Sequence, residues 1–108
     1  MKLLRNLPKV CVEQLANKNQ FVITYEDLQK NIRYLCFQSY DTLIAVYDKA
    51  HKQMFINWQM WDYSKTTLKH LKMFVNFYTC FEYETKAQFL NLIRKNDNVL
   101  TFEERDTY

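Results

Sequence analysis

Two hydrophobic periods divide the chain. Over roughly the first sixty positions apolar and polar residues alternate, and from Ser64 onward apolar residues recur every three or four. Residues 9–16 fit both periods. Val10 and Val12 alternate as in a strand, whereas Leu7, Cys11 and Leu15 recur every four, as in a helix that Pro8 opens. The following residues favour the strand. Asn17-Lys18-Asn19 is turn chemistry, and Phe21-Val22-Ile23-Thr24-Tyr25 is dense in β-branched and aromatic side chains, so a hairpin joins the two segments. Residues 26–31 read as a polar connection and 32–38 as the next strand. Residues 41–47 form the strongest strand pattern, and their near-continuous apolar character predicts a central position covered on both faces. A polar hairpin loop over 48–52 then leads to a return strand over 53–58, with Met54, Ile56 and Trp58 on one face and Phe55 and Asn57 on the other.

The helical segment places Leu68, Leu71, Val75 and Tyr78 on one stripe with Phe74 beside it, and Lys65, Lys69, Lys72 and Asn76 on the opposite stripe. Ser64 is suited to cap it, with Asp62 adding negative charge near the positive end of the helix dipole. A second helix is predicted from about Thr85 to Lys95, burying Phe89, Leu90 and Ile93, and Asn96 to Asn98 breaks it. Residues 99–102 suit a last edge strand, and 103–108 a frayed acidic end. The expectation is an α+β fold in one domain over 1–108: a small antiparallel sheet of about four to five strands, followed by two helices packed on it. At 108 residues there is room for one core and no second lobe.

Composition changes this picture in two respects. Glycine is absent, so positive-φ positions are expected at Asn17 to Asn19, Asp48 and Asn96 to Asn98. Its absence also argues against phosphate loops, dinucleotide fingerprints and nucleophile elbows, which need backbone without a Cβ. The net charge of +3 is uneven, with eleven Lys or Arg against six Asp or Glu in residues 1–80 and four against six in 81–108. Cys11, Cys36 and Cys80 are odd in number, far apart and flanked by apolar neighbours, which predicts buried reduced thiols rather than a disulfide framework or zinc site. Met1 to Arg5 begins like a signal peptide, but Asn6, Pro8 and Lys9 end the apolar run, and no later run is long enough for a bilayer. A cytoplasmic protein without membrane contact is expected.

Candidate chemistry concentrates at Asp62, Ser64, Thr66, Thr67 and His70. Thr66 or Thr67 lies within one helical turn of His70, the spacing a nucleophile and base require, but no oxyanion donor or orienting carboxylate accompanies them. Capping and packing explain the same residues, so no catalytic residue is assigned. His51 and His70 lack partners at ligand spacing, and no metal or cofactor is expected. The lysine stripe of Lys65, Lys69 and Lys72 suits an acidic protein patch or a phosphate backbone, with Trp58, Trp61 and Tyr63 available to stack on bases. The aromatic surplus or an open strand edge also suits a homodimer.

Two segments, preceded by Tyr34-Leu35, carry a resemblance: Ser39-Tyr40-Asp41-Thr42-Leu43-Ile44-Ala45-Val46-Tyr47, and Trp61-Asp62-Tyr63-Ser64-Lys65-Thr66-Thr67-Leu68-Lys69-His70-Leu71-Lys72-Met73-Phe74. Together they resemble a family of short proteins from phages, plasmids and their bacterial hosts, whose shared core reads SYxTxIA, a short hairpin, then YSxTTxxHxxxF. The match covers about a third of the chain, with Ser39, Tyr40, Thr42, Ser64, Thr66, Thr67 and His70 as its polar positions. Most members have no assigned function. The resemblance implies a small mobile-element protein in a bacterial host cell, acting by binding. The expected role is inhibition of a defence nuclease in the anti-CRISPR manner, with Cas9 or its guide RNA complex as first candidate. A nucleic-acid-binding accessory protein of a phage or plasmid is the alternative.

Overall fold

A computed structural model of the chain describes residues 9–15 and 17–103. The opening residues, including Leu7 and Pro8, and the acidic end from residue 104 lie outside them. The order is β1 (Lys9–Gln14), β2 (Gln20–Asp27), β3 (Ile32–Ser39), β4 (Thr42–Asp48), β5 (Gln53–Asn57), α1 (Lys65–Tyr78), α2 (Lys86–Lys95) and β6 (Val99–Phe102). The fold is α+β, as expected, and residues 9–14 are a strand. The sheet has six strands in sequence order rather than four to five. It is also mixed. β1 to β5 form an antiparallel meander, whereas β6 returns through both helices and pairs parallel to β5. The long helical crossover is what permits a parallel partner.

Without glycine, the turns are made by other residues, not all of them the expected ones. Asn19 is left-handed with φ 69°, but so are Asn31 at 52°, Tyr40 at 54° and Lys52 at 54°, and neither Asp48 nor Asn96 to Asn98 is. Tyr40 sits in the two-residue turn between β3 and β4. Its N–H donates to the Asn19 carbonyl at 2.6 Å, and its carbonyl accepts from Gln38 Nε2 at 2.7 Å, which holds the unfavourable backbone in place.

One face of the sheet carries the core. Val22, Phe37, Tyr47, Met54 and Val99 meet Leu71, Phe74 and Val75 of α1 and Phe89 of α2. Phe37 stacks on Phe74 with centroids 5.9 Å apart. A bulge in β4 helps fill this layer. Phe37 pairs with Ala45 but Gln38 pairs with Leu43, so Ile44 is the extra residue, and consecutive Ile44 and Ala45 are both fully buried. The expectation that this strand is covered on both faces needs correction, because this chain's helices cover only one.

Both helices start where the caps predict. Ser64 Oγ accepts from Thr67 N at 3.0 Å. Thr85 forms a reciprocal capping box with Gln88. The buried stripe of α1 is rotated from the predicted one: Thr67, His70, Leu71, Phe74 and Val75 are buried, while Leu68 and Tyr78 are half-buried. No helix among the described residues is long and apolar enough to cross a membrane.

Candidate functional site

The polar positions of the two-part signature converge on one joint. Ser64 Oγ donates to Thr67 Oγ1 at 2.9 Å, and the Thr67 and Ser39 hydroxyls are hydrogen-bonded to each other at 3.0 Å. This chain ties the end of β3 to the first turn of α1 across 28 residues of sequence. Gln20, the register partner of Ser39, is buried beside it on the helix-covered face. Thr42 pairs with Ser39 on the other side. His70 is fully buried, and its Nδ1 donates to the Thr66 carbonyl at 2.8 Å. Because a carbonyl can only accept, Nδ1 carries the proton. Neither threonine hydroxyl is bonded to His70, so the spacing that suggested a nucleophile and base is used for helix capping and strand attachment. His70 Nε2 and both amide atoms of Gln20 have no hydrogen-bond partner among the described residues.

The candidate binding residues gather elsewhere, on the outer side of α1. A groove of about 230 Å³ lies between α1, α2 and the segment joining them, lined by Trp61, Leu68, Lys69, Lys72, Tyr83, Glu84, Lys86 and Phe89. Its aromatic wall is continuous, with Trp61 5.0 Å from Phe89 and Tyr83 4.7 Å from Phe89 between ring centroids. Burial raises the Tyr83 phenol well above its ordinary value. Asn76, expected on the solvent side of α1, instead holds the joining segment: its Nδ2 donates to the Tyr83 carbonyl and its Oδ1 accepts from Tyr83 N, both at 2.9 Å.

The groove collects three of the five expected binding residues, Lys69, Lys72 and Trp61, while Lys65 and Tyr63 are exposed outside it. Trp61 is no stacking platform, since it is only 4% exposed. Its neighbour Trp58, 5.9 Å away and tilted by 26°, presents the accessible indole. Charge is mixed. Lys72 pairs with Glu84 at 2.9 Å, and Lys86 pairs with Asp62 at 3.4 Å while its ammonium lies 5.2 Å from the Trp61 ring centre. Lys65 and Lys69 have no ion pair among the described residues. Lys86, Glu84 and Tyr83 were not anticipated, because their arrival opposite α1 depends on the path of the 79–85 connection, which has no periodic pattern.

The cysteines also differ from expectation. All three are free, but Cys11 and Cys80 are exposed and Cys36 is half-buried. Among the described residues no cluster of His, Cys, Asp and Glu is arranged to hold a metal ion.

The fold and groove together define a small two-layer α+β protein with a mixed-charge, aromatic-lined surface groove. The chain belongs to a Family of unknown function (DUF8033), whose sequence model matches residues 10–91. That span includes both signature segments and the groove. No curated protein and no solved structure matches the chain.

Proposed function

We propose that this protein acts by binding and inhibiting a host-defence nuclease in the anti-CRISPR manner, with Cas9 or its guide complex as the target. The observation that carries the binding reading is where the signature side chains are spent. Ser39, Thr67 and His70 are fully buried in the joint between β3 and α1, so these polar residues serve the scaffold, and outward action falls to the groove, Trp58, Tyr63, Lys65 and Lys69. The choice of target class rests on the resemblance to short mobile-element proteins.

The mixed charge favours a protein target over a phosphate backbone. An acidic or amphipathic protein surface can exchange partners with the Lys72–Glu84 and Lys86–Asp62 pairs while an apolar side chain enters beside Trp61. A nucleic-acid duplex needs uncompensated cations in series, and only Lys65 and Lys69 of the stripe are free of ion pairs among the described residues. Two phosphate contacts predict a slope of about −2 in log affinity against log salt, a weak dependence for a dedicated binder.

The test is target cleavage by Cas9 with and without the purified protein, alongside binding to the apo-enzyme and to the guide complex. Inhibition is expected, and Lys69→Glu combined with Trp58→Ala should weaken it at least about tenfold. Unimpaired cleavage without binding to either form would remove the target assignment. Tight binding to nucleic acid alone, with a slope much steeper than −2, would instead favour the accessory-protein alternative.

A further inference from the structure

The second face of the sheet has the character of an interior. In an antiparallel sheet covered on one side, polar residues ordinarily point away from the core. Here Glu13, Glu26 and Arg33 belong by register to the helix-side face, and the opposite face carries an apolar row. Directly paired residues share a face, and Val12↔Ile23, Ile23↔Cys36, Cys36↔Val46, Val46↔Phe55 and Phe55↔Leu100 run without interruption across all six strands. Tyr25 and Tyr34 lie beside this row with ring centroids 6.2 Å apart. Val12 and Leu100, at its two ends, are 63% and 41% exposed. The acidic residues at the margins turn away into adjoining loops: Asp27 Oδ1 accepts from Lys30 N at 3.3 Å, and Asp48 Oδ2 meets His51 Nδ1 at 2.8 Å.

We propose that a second copy of this chain covers this face, sheet against sheet about a two-fold axis. Two properties of the face select that occupant. The first is charge. A two-fold interface sets the same patch against itself, so a charged patch would meet its own sign, whereas this uncharged row is complementary to itself. The second is area. Five strand spacings of about 4.8 Å and strands of about 20 Å give a face on the order of 500 Å² in projection, before side-chain relief is counted. Two copies therefore remove more than about 1,000 Å² from solvent, the size a specific interface needs. A hollow of about 440 Å³ lined by Ile23, Tyr25, Tyr34, Cys36 and Val46 receives the opposing row, since packed sheets lie about 10 Å apart with side chains interdigitated. The proposal is independent of the nuclease reading, because it involves the opposite face and no target.

Light scattering on the full chain over about 5 to 200 µM tests it. The mass is expected to approach twice that of a single chain, and Val46→Glu should return it to one while leaving the far-ultraviolet circular dichroism unchanged. A variant carrying Cys11→Ser and Cys80→Ser leaves Cys36 as the sole thiol. Its labelling rate at fixed pH should fall at least about tenfold from the lowest to the highest concentration. A single-chain mass at 200 µM, or labelling that stays constant while the mass rises from one chain to two, would overturn the proposal whether or not Val46→Glu folds. So would a dimer indifferent to Val46→Glu in a folded variant. A monomer whose Cys36 becomes reactive only on deletion of residues 1–8 would assign the face to that segment instead.

Discussion

Thr67 is the side chain through which the two halves of the signature meet. Its hydroxyl accepts from Ser64 and is hydrogen-bonded to the Ser39 hydroxyl, and Thr67 and Ser39 are both fully buried. Thr67→Val keeps the volume and leaves the Ser39 hydroxyl buried without its hydrogen-bond partner, which costs about 1–3 kcal/mol. Chemical denaturation should show that loss, with the thermal midpoint lowered by several degrees. His70 has the opposite balance. Its one hydrogen bond goes to a carbonyl already in the helix ladder, and its Nε2 has no partner among the described residues. His70→Leu therefore exchanges a modest bond for apolar contact and should change stability by no more than about 1 kcal/mol. Inhibition of the proposed target should survive the same change. A folded His70→Leu protein that has lost inhibition would show that the imidazole acts directly.

At the scale of elements, the connection between α1 and α2 shapes the groove, and Asn76 holds it. A single amide satisfies both the N–H and the carbonyl of Tyr83, whose side chain is itself buried between the helices. Asn76→Leu removes both bonds and is expected to destabilise the fold by about 1–3 kcal/mol. It should also release residues 79–85 to faster amide hydrogen exchange, while β2 to β4 remain protected. Asn57 plays a similar part where β5 leads to α1: its Nδ2 donates to the Leu43 carbonyl at 2.9 Å, and its Oδ1 accepts from Gln59 N and Met60 N. Neither asparagine is distinguished by spacing or by neighbours. Their roles arise only where a turn passes within reach of a short amide.

For the whole molecule, the core is rich in phenols that fold in the neutral form. Burial, with the Cys80 thiol beside it, pushes Tyr47 up to about 12, and burial raises Tyr83 as well. An unfolded tyrosine titrates near 10. Above that pH the unfolded chain releases protons that the folded chain retains, so the stabilisation is complete below about pH 10 and falls as the pH rises through 12. Burial raises the Cys36 thiol too, so the thermal midpoint should begin to fall near pH 9 and decline more steeply above 10, with phenolate absorbance from Tyr83 appearing only on unfolding. Tyr47→Phe should shallow that decline.

By itself the sequence determined the parts of this protein that depend on local pattern. Alternation, β-branched and aromatic runs and turn residues marked the strands, Val99–Phe102 among them, and the change of period at Ser64 marked α1. Hydroxyls at Ser64 and Thr85 marked both helix starts, because a cap acts on amides only two or three residues away. Tertiary structure decided what depends on distant segments arriving together: the parallel pairing of β6, the turn at Tyr40, the Ser39–Thr67 bond, and the meeting of Lys69, Trp61 and Lys86 around one groove. It also decided the meaning of the apolar run in β4. Such a run says that both faces need cover. Only the fold shows that this chain covers one, because both helices pack on the same side of the sheet.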